Sequence, residues 1–214
     1  MTANKAKSDV NDFSNKIADA LEGVFESVAL TRKQHFIENP TKRPTSQDID
    51  SIVKIYSNQN ALIAGATNLI PGPLGMLATL PELIAIIRNQ IQMIYDLGVA
   101  HGKESNLNAT LLLGLFSTVM GEGAIGLVTI KGKQLLVKKA SVQVIQKVVF
   151  WLGGTISQKL LKQFIAKWLP LVGAAAMAIW ARQSTINMGK KASEMLSMDI
   201  VTSEEGVSED NIPS

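Results

Sequence analysis

The residues able to do chemistry are few and scattered. The chain has two histidines, His35 and His101, and no cysteine, which removes disulfides, thiol nucleophiles and thiolate metal sites. Neither histidine has a partner at HxxxH or HExxH spacing, so no zinc site is expected. A serine–histidine–acid triad meets only in space, but the chain lacks the GxSxG turn that often presents such a serine. Gly121, Gly123 and Gly126 match GxGxxG. A dinucleotide turn needs a strand before it, a helix after it and an acid about 20 residues on. Here the preceding stretch reads as helix, and the next acid after Glu122 is Glu194. There is no GxxxxGK[ST] phosphate loop. The sequence therefore names no catalytic group, cofactor or metal, and an enzyme is the weakest class.

Two constellations remain. Glu82, Arg88, Gln92 and Asp96 lie on or beside the greasiest helical stretch, and Arg88, Gln92 and Asp96 follow one another at steps of four. They form either a solvated face, a buried pairing that fixes helix register, or a polar ligand cluster; a buried charge among them needs a partner. The second group is Lys159, Lys162 and Lys167 with Phe164 and Trp168. Lysines beside aromatics on an amphipathic helix suit the headgroup layer of an anionic bilayer, at about 1 kcal/mol per lysine. An ordinary surface helix packed on a core has the same pattern. Only 5% of residues are aromatic and ten of eleven bases in the stretch between Glu122 and Glu194 are lysines, which does not favour nucleic-acid readout.

The element that must position these groups is residues 61–102. It is broken by Pro71, Gly72, Pro73 and Gly75, then by Pro81, so the expected shape is two apolar helices meeting at an elbow. A second elbow is read at Pro170 and Gly173. Residues 9–38 carry Phe13, Ile17, Leu21, Val24 and Val28 at helical spacing, ended by Asn39-Pro40. Thr45 or Ser46 is placed to cap the next helix. Residues 107–120 form a further apolar segment, residues 133–152 read as helix despite their β-branched content, and Gly153-Gly154 reads as a hinge.

With 214 residues and 46% hydrophobic content, the chain is long enough for one real core. No apolar run is unbroken for the roughly 20 residues that span a bilayer. The polar start, MTANKAKSDVNDFSNK, has no signal-peptide core, so the expected location is the cytoplasm, peripheral or monotopic at the inner membrane. Residues 199–214 hold five acids and no base, and the rest of the chain carries 21 basic and 13 acidic residues. The reading is all-α: a compact multi-helix domain with two Gly/Pro-broken hydrophobic hairpins. Residues 1–40 form an N-terminal amphipathic helix, 41–198 the hydrophobic helical domain and 199–214 an acidic disordered tail.

Pro71-Gly72-Pro73-Leu74-Gly75, the run from Arg88 through Ile94 and Tyr95 to His101-Gly102, the Leu-rich segment after it and Leu169-Pro170-Leu171-Val172-Gly173-Ala174 together resemble the EcsC family of bacterial proteins. The likeness covers roughly residues 39–195, and the chain is also similar, more distantly, to the hydrophobic domains attached to some bacterial membrane GTPases. The resemblance implies an α-helical, membrane-associated protein, linked in name to an ABC-transporter operon, with no assigned reaction. The expected function is an accessory or scaffold at the cytoplasmic face of an anionic membrane, with anionic lipids and a membrane protein complex as partners and no nucleic acid or small-molecule substrate. Two alternatives are a helical bundle enclosing an apolar ligand such as an acyl chain, and a pore-forming or secreted effector.

Overall fold

A computed structural model of the chain describes residues 3–66, 79–121, 126–166, 173–207 and 212. It is a compact multi-helix domain carrying one small sheet. The order is α1 (Ala3–Leu21), α2 (Val24–Glu38), α3 (Ile49–Gly65), α4 (Leu80–Ala100), α5 (Ala109–Val119), β1 (Val128–Lys131), β2 (Gln134–Lys139), α6 (Val142–Ala166), α7 (Gly173–Leu196) and β3 (Asp199–Gly206).

The centre is α4. Pro81 sits in its first turn, where a missing N–H costs nothing. From Met93 to Ala100 every residue is buried, the signature of a helix surrounded on all sides. Around it, α3 lies along α7 and α1 lies along α6, while α2 and α5 pack against α4. Tyr95, Ile91, Leu97, Phe13, Phe36 and Phe116 are among the largest fully buried side chains. At about 25 cal/mol per Å2 of apolar surface withdrawn from water, this burial is the main force holding the helices together.

Several sequence expectations change. Residues 1–40 are two helices rather than one: Gly23 adopts φ +74 between them, a left-handed turn that glycine takes without a Cβ penalty. Thr45 does cap the next element, donating from its backbone N and hydroxyl to Asp48 Oδ2, both at 2.8 Å. The start of residues 133–152 is strand. Gly132, at φ +64, opens a two-residue turn that pairs β1 with β2 antiparallel, Lys131 opposite Gln134. Alternation of Leu135 and Val137 inward decides this over the helical reading. Gly153-Gly154 is no hinge, because α6 runs straight through it. A Cβ on Gly153 would lie 2.9 Å from the Ser14 carbonyl oxygen, so this glycine lets α1 and α6 approach. Finally, residues 199–206 are not disordered. Ile200, Val201 and Thr202 are β-branched and pair parallel with Leu135, Leu136 and Val137 on the edge of β2.

Candidate functional site

Two hollows flank α4, and between them runs a buried polar seam. On the first side three helices converge on one carboxylate. Arg32 of α2 donates from Nε to Asp96 Oδ1 and from Nη2 to Oδ2, both at 2.8 Å. The Tyr56 hydroxyl of α3 donates to Oδ2 at 2.8 Å. Asp96 is only 6% exposed. Burial pushes its carboxyl up from the ordinary value, and the Arg32 charge and hydrogen bonds, then the Tyr56 hydroxyl, pull it part of the way back. Burial, then the Asp96 charge, raises the Tyr56 hydroxyl. The Arg32 guanidinium also lies 4.7 Å from the Phe36 ring centre, a cation–π contact. Both carboxylate oxygens are engaged, so the group is suited to locking three helices together and poorly suited to taking a proton from a substrate. Beside it opens a groove of about 640 Å3. Gln59, Leu62, Asn89 and Gln92 line it with Tyr56 and Asp96, and Leu62 is 75% exposed.

The seam comes next. Asn60 Nδ2 donates to Thr185 Oγ1 at 2.9 Å and to the Ile86 carbonyl at 3.3 Å. Gln90 Nε2 reaches the same hydroxyl at 3.1 Å, Asn89 Nδ2 reaches Asn60 Oδ1 at 3.0 Å, and Thr185 itself donates to the Ala181 carbonyl. Asn60 and Thr185 are fully buried. This chain of bonds ties α3, α4 and α7 at one register.

On the far side a cavity of about 360 Å3 lies between α4, α5, α6 and α7. Leu83, Ile86, Ile87, Phe116 and Ile156 give it an apolar wall, and Gln183, Ser184, Asn187 and Lys191 line it from α7. Lys159 of α6 also lines it and donates from Nζ to the carbonyl of Met120, the residue capping α5. Among the described lining residues the ionised side chains are both lysines.

A different surface lies on the outside of α6. Its inner face buries Val144, Val148, Leu152 and Ile156. Outward, Gln143, Gln146 and Lys147 are exposed together with Val142 and Phe150, 67% and 62% exposed.

The structure disperses the expected polar cluster along α4. Glu82, in its first turn, has one buried oxygen, Oε2, without a hydrogen-bond partner among the described residues. Arg88 is exposed and reaches Ser27 Oγ at 3.3 Å. Gln92 is half-buried in the groove, and Asp96 is buried and paired. This is no solvated stripe, because α2 and α3 close progressively over it. Of the expected lipid-contact group, Lys159 turns inward to the cavity. Lys162 and Phe164 belong to α6, but their side chains are outside the described ones, and Lys167 and Trp168 lie outside the described residues. Pro71, Gly72, Pro73, Gly75 and Pro170 also lie outside them, and Gly173 is the first residue of α7.

Gly121 and Gly126 link a helix to a strand, the reverse of the order a dinucleotide turn requires. His35 packs edge-on against Phe36. His101 Nε2 lies 2.8 Å from Ser193 Oγ. Burial, then Lys103, holds its imidazole below the ordinary value. Among the described residues no acid bonds to that ring, so a serine–histidine–acid geometry is not assembled there.

Sequence reasoning missed Arg32, Tyr56, Asn60, Gln90, Thr185 and Phe150. Phe150 had a signal: it is an aromatic on the same side of its helix as Gln143, Gln146 and Lys147. The chain matches no family model, no curated protein and no solved structure.

Proposed function

We propose that this protein is a helical accessory or scaffold that binds the cytoplasmic face of an anionic membrane peripherally. The observation that carries the reading is the outer face of α6. Val142 and Phe150 stand exposed on one side of a helix with Lys147, Gln143 and Gln146. The helix lies in a stretch from Glu122 to Glu194 with eleven bases and no acid between. In water the exposed Phe150 ring leaves apolar surface hydrated, whereas the headgroup layer accepts the ring and attracts the lysine. The EcsC-like motifs point the same way. No helix among the described residues is long and apolar enough to cross a membrane, so the α6 contact is interfacial. The role is that of a binding platform for a membrane protein complex.

Vesicle flotation tests this. The protein is expected to float with phosphatidylglycerol vesicles at low salt, to leave them progressively as salt rises, and to ignore phosphatidylcholine. Failure to float with anionic vesicles at any ionic strength would overturn the proposal.

A further inference from the structure

The cavity between α4, α5, α6 and α7 is not explained by bilayer binding, since the α6 face that carries that reading, Val142 to Phe150, does not line it. We infer that it is a binding site for one single-chain amphiphile with an anionic head, of the fatty-carboxylate class. Three features of the wall specify that ligand.

The first is apolar depth. Leu83, Ile86 and Ile87 present three side chains from one face of α4, Phe116 and Val119 come from α5, and Ile156 from α6. A hydrocarbon chain placed against them is withdrawn from water at about 25 cal/mol per Å2. The second is the distribution of polar groups. Gln183, Ser184, Asn187 and Lys191 follow each other at steps of one, three and four along α7, so a single stripe of donors runs along one wall. Gln183 Nε2 donates to Asn187 Oδ1 at 3.0 Å, which fixes both amides in place. The third is charge. Lys191 brings a cation to the α7 wall and no acid is among the described lining residues, so the field there favours an anion and disfavours a cation. Lys159 is held in place by the Met120 carbonyl, and Lys191 is exposed. A volume of about 360 Å3 falls near the lower end of the roughly 300–1,000 Å3 typical of small-ligand sites. It suits one chain with a small head and not a whole two-chain phospholipid. The ligand chain runs over the α4 and α5 wall, and its head sits at Lys191 and the amides of α7.

Trp180 lines the same cavity and serves as the reporter. The 214-residue chain is titrated, without vesicles, with dodecanoate carrying bromine on its chain, below the micelle concentration. Saturable quenching is expected, reversed by unlabelled dodecanoate and not by dodecyltrimethylammonium. Trp180→Phe is expected to abolish the saturable component, which separates it from the other two tryptophans. Lys191→Gln, at an exposed position, is expected to weaken binding about 2- to 5-fold, as for a solvent-exposed ion pair. Phe150→Ser is expected to leave it unchanged, so failure of this site and failure of bilayer binding are read separately. Quenching that does not saturate, equal displacement by the cationic amphiphile, or a saturable signal that survives Trp180→Phe would overturn the inference.

Discussion

The two hollows beside α4 are built from similar materials and differ in how they treat charge. In the groove around Asp96, an acid is buried only because Arg32 and Tyr56 reach it from two other helices. Its charge is spent on the fold. In the cavity across the helix, Lys159 of α6 is held by the Met120 carbonyl, Lys191 of α7 is exposed, and no acid is among the described lining residues. A side chain neutralised inside the fold holds helices in register; Lys191, exposed on the wall of the hollow, is available to a ligand. This distinction separates structural polar residues from candidate functional ones in a chain with no recognisable catalytic motif.

The sharpest way to break the comparison is to strand the acid. Arg32→Ala leaves the Asp96 carboxylate buried with the Tyr56 hydroxyl alone and is expected to cost about 3–5 kcal/mol, which chemical denaturation will read. Pairing Arg32→Met with Asp96→Leu removes both charges and is expected to recover most of that loss; full persistence of the loss would show that the pair is not the lock. Thr185→Val is next. It deprives the Asn60 and Gln90 amides of their shared acceptor and is expected to cost about 1–3 kcal/mol. Tyr56→Phe removes one bond to a carboxylate that keeps Arg32, with an expected cost of about 1.5 kcal/mol. If Tyr56→Phe proved as damaging as Arg32→Ala, the hydroxyl and not the ion pair would be the lock.

The smallest effect is a pH dependence. His101 has a folded-state value held below its usual 6.5 by burial and then by Lys103. The folded protein therefore binds fewer protons there than the unfolded chain. The contribution is fully present above about 6.5 and is lost as pH falls through the lower folded value. Asp96 acts in the opposite sense: its carboxyl is raised, so its contribution is complete below the ordinary carboxylate value and declines as pH rises through the folded one. Denaturation midpoints between pH 7 and 5 are expected to fall less in His101→Gln than in the parent; identical slopes would remove His101 from the account.

The all-α class and the main apolar helices were legible because their periodicity is local. Residues 49–65, 80–100 and 109–119 each announce themselves by apolar spacing, and Thr45 marks the approach to the first of them. The β1–β2 hairpin is local, but its short alternation was outweighed by the helical spacing read across residues 133–152, and β3 was hidden because it gains its partner from a strand some 60 residues earlier. Asp96 stood out as a charge in a greasy helix, but Arg32 is 64 residues away, and nothing in the spacing links them. Asn60 and Thr185 are separated by 125 residues. Those pairings are facts of packing, and packing has no local signature.

The outer face of α6 gives the most direct test of membrane binding. Because the chain has no cysteine, Phe150→Cys can be labelled uniquely with an environment-sensitive fluorophore, and Ile37→Cys on α2 supplies an exposed control. On phosphatidylglycerol vesicles the label at position 150 is expected to shift to the blue and brighten, and the label at position 37 to stay as in buffer. An unchanged spectrum at position 150, while the protein is shown to be folded, would contradict the account.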